Sequence, residues 1–217
     1  MTRGLKLRKS PVQLSGRPVK TDTRDHWPVV LEYAEEGPGP WLADLSHYTR
    51  FDIQGRTPAG LPEGLTLPEK PNGVRLQGTL LLTRPGAFQA ALWRFGSNAG
   101  NTAGFGVTEI TECTLGMAIM GKNTFRITEK LTTLDLSAPR RKPPFLLQGP
   151  FCHVPCQVVV LDAAPGREMV ILSCSRGYGR DMVHAITEAG AEFDLRPAGE
   201  LRFMRMLEAV GASGKAM

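Results

Sequence analysis

Cys152-His153-Val-Pro-Cys156 is the densest run of metal-ligating side chains in the sequence. A zinc site needs three or four nitrogen and sulfur ligands in tetrahedral array. This spacing offers three at most, and Pro155 marks it as a turn between strands, so buried inert thiols are expected and no metal. Asp44, Ser46 and His47 bring the residue types of an acyl-transfer triad into one short run. Working triads are assembled from separated segments, often around a G-x-S-x-G elbow, and no such elbow occurs here. Gly177-Tyr-Gly179 precedes a helical pattern and could cradle a phosphate, but the signal is weak and a plain helix start explains it better. Gly100 to Gly106 does not reproduce a dinucleotide fingerprint.

The elements that would position such groups belong to a globular chain. Its 217 residues are 41% hydrophobic and 22% charged, enough for a sizeable core. The four cysteines, Cys113, Cys152, Cys156 and Cys174, are too few for a disulfide scaffold, and no apolar run approaches the roughly 18–20 residues of a spanning helix. A cytoplasmic protein is expected, without a membrane segment. The net charge is +5, and seven bases against two acids precede His26, so the whole excess sits in that stretch. Residues 1–25 are read as a basic arm for electrostatic docking. No aromatic side chain interleaves those bases, which argues against nucleic-acid binding.

Hydrophobic spacing supplies the elements. Pro28 with Val29, Val30 and Tyr33 predicts a short helix, and Phe51 to Ile53 a strand. Gly55 to Gly73 predicts a long loop and Thr79 to Thr83 a strand. Phe88, Leu92 and Phe95 suggest a helix, and Ser97 to Gly104 a linker. Leu115 to Met120 predicts a strand, followed by a helix capped by Asn123 and carrying Ile127, Leu131 and Leu134. Phe145 to Leu147 and Gln157 to Asp162 flank the cysteine turn as strands. Glu168 to Ser173 follows through a hairpin-like turn. Tyr178, Met182, Ile186 and Ala189 line a helix closed by Gly190, Glu192 to Arg196 is extended, and Leu201, Met204 and Leu207 mark a last helix.

From Leu115 to Arg196 the order is read as strand, helix, strand, strand, helix, strand. That is the split β-α-β plan of a ferredoxin-like sheet with helices on one face, hence an α+β fold. Residues 26–217 form the domain, with subregions 26–96 and 105–211.

Several stretches then resemble one family in the right order. Leu42-Ala-Asp-Leu-Ser-His-Tyr-Thr-Arg-Phe-Asp-Ile-Gln-Gly55 resembles an early segment of aminomethyltransferases, the glycine-cleavage T-protein type. Val107 to Thr111, Ala118 to Gly121 and Lys130 to Ser137 resemble that family's middle strand–helix unit. Gly166-Arg-Glu-Met-Val-Ile171, Glu188 to Gly199 and Arg205 to Ala209 resemble its later strand and last helices. The resemblance extends to the γ subunit of heterotetrameric sarcosine oxidase, which lacks the C-terminal barrel. It implies ferredoxin-like units of the folate-binding fold and tetrahydrofolate as a possible cofactor. By residue, it implies Glu168 as the pterin-contacting carboxylate, with Arg205, or alternatively Arg202, as the arginine of the last helix. A carboxylate suits the aminopyrimidine edge because that edge presents paired N–H donors.

One departure matters. The family's catalytic aspartate precedes the strand that here is Thr79 to Thr83, where this chain has Val74-Arg-Leu-Gln-Gly78. No acid lies between Glu69 and Glu109. Arginine or glutamine cannot polarise an amine as a carboxylate does. A non-catalytic or accessory protein of one-carbon or methylamine metabolism is therefore expected. It would form a homo-oligomer or join a partner subunit, and its arm would meet an acidic lipoyl-carrier-type protein. Active tetrahydrofolate-dependent transfer of an aminomethyl or methyl group would have to recruit Asp44 or Asp52. A purely structural interaction module is the further alternative.

Overall fold

The computed structural model describes residues 7–55, 61, 64–96 and 102–214. Parts of the expected loop at Gly55 to Gly73 and of the linker at Ser97 to Gly104 lie outside them, as does the start of the basic segment. Among the described residues the chain is mixed α and β, with three sheets and three α-helices.

The first sheet is a ribbon of β1 (Pro18–Arg24) and β2 (Trp27–Tyr33), turned by Asp25 and His26, both at positive φ. β2 corrects the helix expected from Pro28. Val29, Val30 and Tyr33 fit a helical stripe, but Trp27, Val29, Leu31 and Tyr33 are the buried set, and that period of two is a strand's. The described part of the basic segment, from Leu7 on, is packed against the domain. Pro18–Arg24 is strand, Val12 is buried in the core, and Arg8 pairs with Asp25 and Glu112.

The second sheet has six strands in the order β10-β11-β12-β9-β3-β13. These are β3 (Trp41–Asp44), β9 (Thr114–Met120), β10 (Phe145–Phe151), β11 (Val154–Asp162), β12 (Met169–Ser175) and β13 (Arg196–Ala198). Only β13–β3 is parallel. Both faces are buried, so β9 reads as a continuous apolar run. Leu115, Met117 and Ile119 face one layer, and Ala118 and Met120 face the other. The first layer holds α1 (Thr124–Thr128) and α2 (Gly179–Gly190), the latter burying Met182 and Ile186. The strands flanking α2, β12 and β13, run parallel with two strands between them. After α1, by contrast, β10 runs antiparallel to β9, because three strands, β10, β11 and β12, stand between α1 and α2 where a split β-α-β plan has two.

α1 is shorter than predicted. Asn123 sits at φ 70° and makes no capping bond, and Leu131 leaves the helix to receive a hydrogen bond from the Cys152 amide. A tertiary contact thus ends a helix that periodicity would extend.

The third sheet, β5-β6-β7-β4-β8, comprises β4 (Thr49–Gln54), β5 (Val74–Gln77), β6 (Leu80–Gly86), β7 (Gln89–Arg94) and β8 (Val107–Glu109). β7 replaces the helix expected around Leu92. Its residues alternate between two apolar layers, Ala90 and Leu92 outward and Trp93 inward, while Phe88 is exposed. Leu81, Trp93 and Phe95 pack against the second face of the six-stranded sheet. Phe203 and Leu207 of α3 (Glu200–Gly214) join them, spaced i, i+4. Leu61, Leu65 and Leu67 cover the outer face, so this part of the long loop serves as a lid over apolar side chains.

Candidate functional site

A cavity of about 990 Å³ forms a groove between edge strand β5 and α3. Val74 and Leu76 line one wall and Met204, Leu207 and Val210 the other. Among the described residues β5 pairs only with β6, and β10 meets its second edge only just before it, at the Gly73–Phe145 bridge, so that edge is open from Val74 to Gln77. Open edges and apolar walls both invite a partner. The stretch Val74 to Gly78, where the resemblance expects an acid, forms this wall. Arg75 and Gln77 alternate outward. Glu208 of α3 supplies a carboxylate to the lining, a residue that sequence reasoning did not single out.

The expected site residues are placed separately. Glu168 immediately precedes β12, and its carbonyl receives the Gly121 amide at 2.8 Å. Its side-chain Oε2 is buried without a hydrogen-bond partner. Arg202 is committed elsewhere: its Nε donates to Glu36 Oε2 at 3.1 Å and its guanidinium lies over the Trp41 ring at 4.7 Å. Glu36 also receives the amides of Tyr33 and Gly199, fixing the start of α3. Arg205 is exposed on α3 and does not line the groove.

Neither alternative acid reaches the groove. Asp44 accepts the Ser46 amide and lines a cavity beneath the N-terminal segment. Asp52 accepts from Gln54 and Gln89, both at 2.7 Å, in a cleft between the two large sheets. The short run at Asp44 is no triad, since Ser46 bonds Gly116 and His47 pairs with Glu200 at 3.1 Å. Cys152 and His153 form the β10–β11 turn, both at positive φ, while Cys156 sits on β11 in the core. Burial raises the Cys152 thiol to about 11. A hydrogen bond shared with Cys174, then burial, raises the Cys156 thiol. Both favour the protonated, inert form. Among the described residues no three His, Cys, Asp or Glu side chains converge on a point that would hold a metal ion. Nor is any helix there long and apolar enough to cross a membrane.

A buried arginine holds the loop that carries these residues. Arg50 is 1% exposed, and its guanidinium donates to the carbonyls of Leu45, Ser46, Tyr48, Thr111 and Thr114. No sequence pattern marked it, because its acceptors are backbone oxygens drawn together only by the fold.

A chain of the heterotetrameric sarcosine oxidase from Corynebacterium sp. U-96, solved in complex with pyrrole 2-carboxylate, has a similar fold. The TM-score is 0.56 at 13% identity, over 70% of this chain and 84% of that chain. At that identity the similarity is one of fold. No protein-family model matches the sequence, and no curated protein does.

Proposed function

We propose that this chain is an accessory subunit of a hetero-oligomeric enzyme of one-carbon or methylamine metabolism, and that its partner covers the β5–α3 groove. The groove carries this reading: an open strand edge beside an apolar helix face is the surface a partner subunit buries. The fold shared with a chain of a heterotetrameric oxidase supports it, as does Val74-Arg-Leu-Gln-Gly78 in place of the family's acid. Light scattering and affinity purification from the native cells test it. A stoichiometric complex with an oxidase or transferase subunit is expected, and Met204→Glu should disperse it. A monomer with no such partner, or a complex indifferent to Met204→Glu, refutes it.

One observation favours a pterin ligand as well. Glu168 Oε2 is a buried acceptor with no donor, and an aminopyrimidine offers paired N–H donors. Tetrahydrofolate would be held there by Glu168, whereas Arg202 is already engaged by Glu36 and Arg205 lies apart, exposed on α3. Calorimetry with tetrahydrofolate decides. Binding weakened roughly tenfold or more by Glu168→Gln supports the ligand. No binding, or binding indifferent to that change, removes it without touching the accessory role.

A further inference from the structure

Two buried thiols lie side by side on β11 and β12, away from the groove. The two strands are antiparallel, and their last paired rung is Gln157–Ser173. One step further, the same register sets Cys156 opposite Cys174. Both side chains belong to one apolar cluster, so they point to the same face of the sheet. Two prolines fix the kind of rung on which they stand. Pro150 faces Pro155 across β10 and β11, and neither has an N–H to give. The Pro150 carbonyl turns away from β11 and accepts the Thr132 hydroxyl at 2.6 Å. Hydrogen-bonded and unbonded rungs alternate in an antiparallel ladder, so the neighbouring Gly149–Cys156 rung is the bonded one. Cys156 thus directs its N–H and carbonyl to β10, and towards β12 it occupies an unbonded position.

Unbonded cross-strand pairs are the close ones, with Cα atoms about 4.5 Å apart. A disulfide takes Cα atoms about 4.4–6.8 Å apart. The pair therefore lies within bonding geometry without movement of the backbone. The thiols already touch: Cys156 donates a hydrogen bond to Cys174, which holds the Cys174 thiol below its ordinary value against the opposing effect of burial. Cys156, kept protonated by that same bond, is inert towards outside reagents but lies against the one sulfur it has to reach. Each residue is 5% exposed, so only a small oxidant reaches them. The other two cysteines share no rung with this pair: Cys152 stands in the β10–β11 turn and Cys113 is exposed before β9.

We propose that Cys156 and Cys174 are a modification site that closes to a disulfide on reaction with a peroxide. The Cys174 sulfur attacks one peroxide oxygen, the O–O bond breaks, and the departing hydroxide leaves as water with the Cys174 proton. The Cys156 sulfur then attacks the resulting sulfenic acid. The S–S bond forms, the S–O bond breaks, and a second water carries off the Cys156 proton. Two thiols lose two electrons and two protons, and hydrogen peroxide is reduced to two waters. The site does not depend on the accessory role. To test it, the folded full chain is treated with hydrogen peroxide, unfolded in urea with iodoacetamide, and mapped by tandem mass spectrometry without reduction. Two of the four thiols should be lost to alkylation, and the linked peptides should join Cys156 to Cys174. Cys152→Ser should leave the link intact. Cys156→Ser should abolish it and leave a Cys174 sulfenic acid that dimedone traps. If either variant fails to fold, the spectra of the unmutated chain still assign the linked sulfurs. Four alkylated thiols, oxidation without a link, a link to Cys152 or Cys113, a link between two chains, or a link formed only after unfolding would each overturn the site. A Cys156→Ser chain without the dimedone adduct would overturn the order of attack.

Discussion

Glu200→Gln should destabilise the protein in a pH-dependent way. The Glu200 carboxylate receives Arg24 Nη1 at 2.5 Å and lies 3.1 Å from His47 Nε2. Burial alone would raise its pKa, but the bonds from His47, Arg24 and Tyr48 outweigh that and hold it at about 2, against an ordinary 4.5. At about 1.4 kcal/mol per pKa unit, the displacement corresponds to about 3 kcal/mol. The Arg24 side chain is 46% exposed, so solvent screens its share, and a loss of about 1.5–2.5 kcal/mol is expected. The folded-state pKa is depressed, so this stability is fully present above the unfolded pKa near 4.5 and disappears as pH falls towards 2. Urea unfolding of both proteins at pH 7 and pH 3 measures it. The gap between them should shrink to less than half at pH 3. A gap below about 0.5 kcal/mol at pH 7, or one unchanged at pH 3, would refute the assignment of the pair.

Arg50→Met should cost roughly 3–5 kcal/mol in urea unfolding, because it removes the guanidinium that five carbonyls share, and of these Leu45 keeps the Tyr48 amide while buried Ser46, Tyr48 and Thr111 lose that donor. Gly199→Ala should cost about 1–3 kcal/mol and lower the thermal midpoint, since a Cβ there would sit 2.3 Å from the Leu31 carbonyl group and push α3 off β2. Phe203→Ala should cost roughly 3–5 kcal/mol, as it empties the layer between the two large sheets, where Phe203 packs on Tyr48 and Phe95.

The second half of the chain was the more legible. Leu115 to Met120 and Met182 with Ile186 are long, regular patterns buried on one element each, so local spacing and tertiary burial agree. The first half misled where one set of residues fits two periods. Val29 and Tyr33 are four apart, as on a helix, yet also share the face of a strand, and only burial of Trp27 and Leu31 decides between them. Arg50 and Glu36 were invisible because their partners are set by segments distant in sequence. The absence of acid from Val74 to Gly78 could be read directly. That the same residues wall a groove could not, since the opposite wall comes from α3, more than a hundred residues later.

The proposed accessory role is tested most directly by hydrogen exchange on the chain alone and in the complex it predicts. Residues 74–79 and 204–212 should gain protection in the complex while the β10–β11 hairpin is unchanged. Protection confined to other surfaces, with the β5–α3 groove exchanging as freely as in the isolated chain, would contradict it.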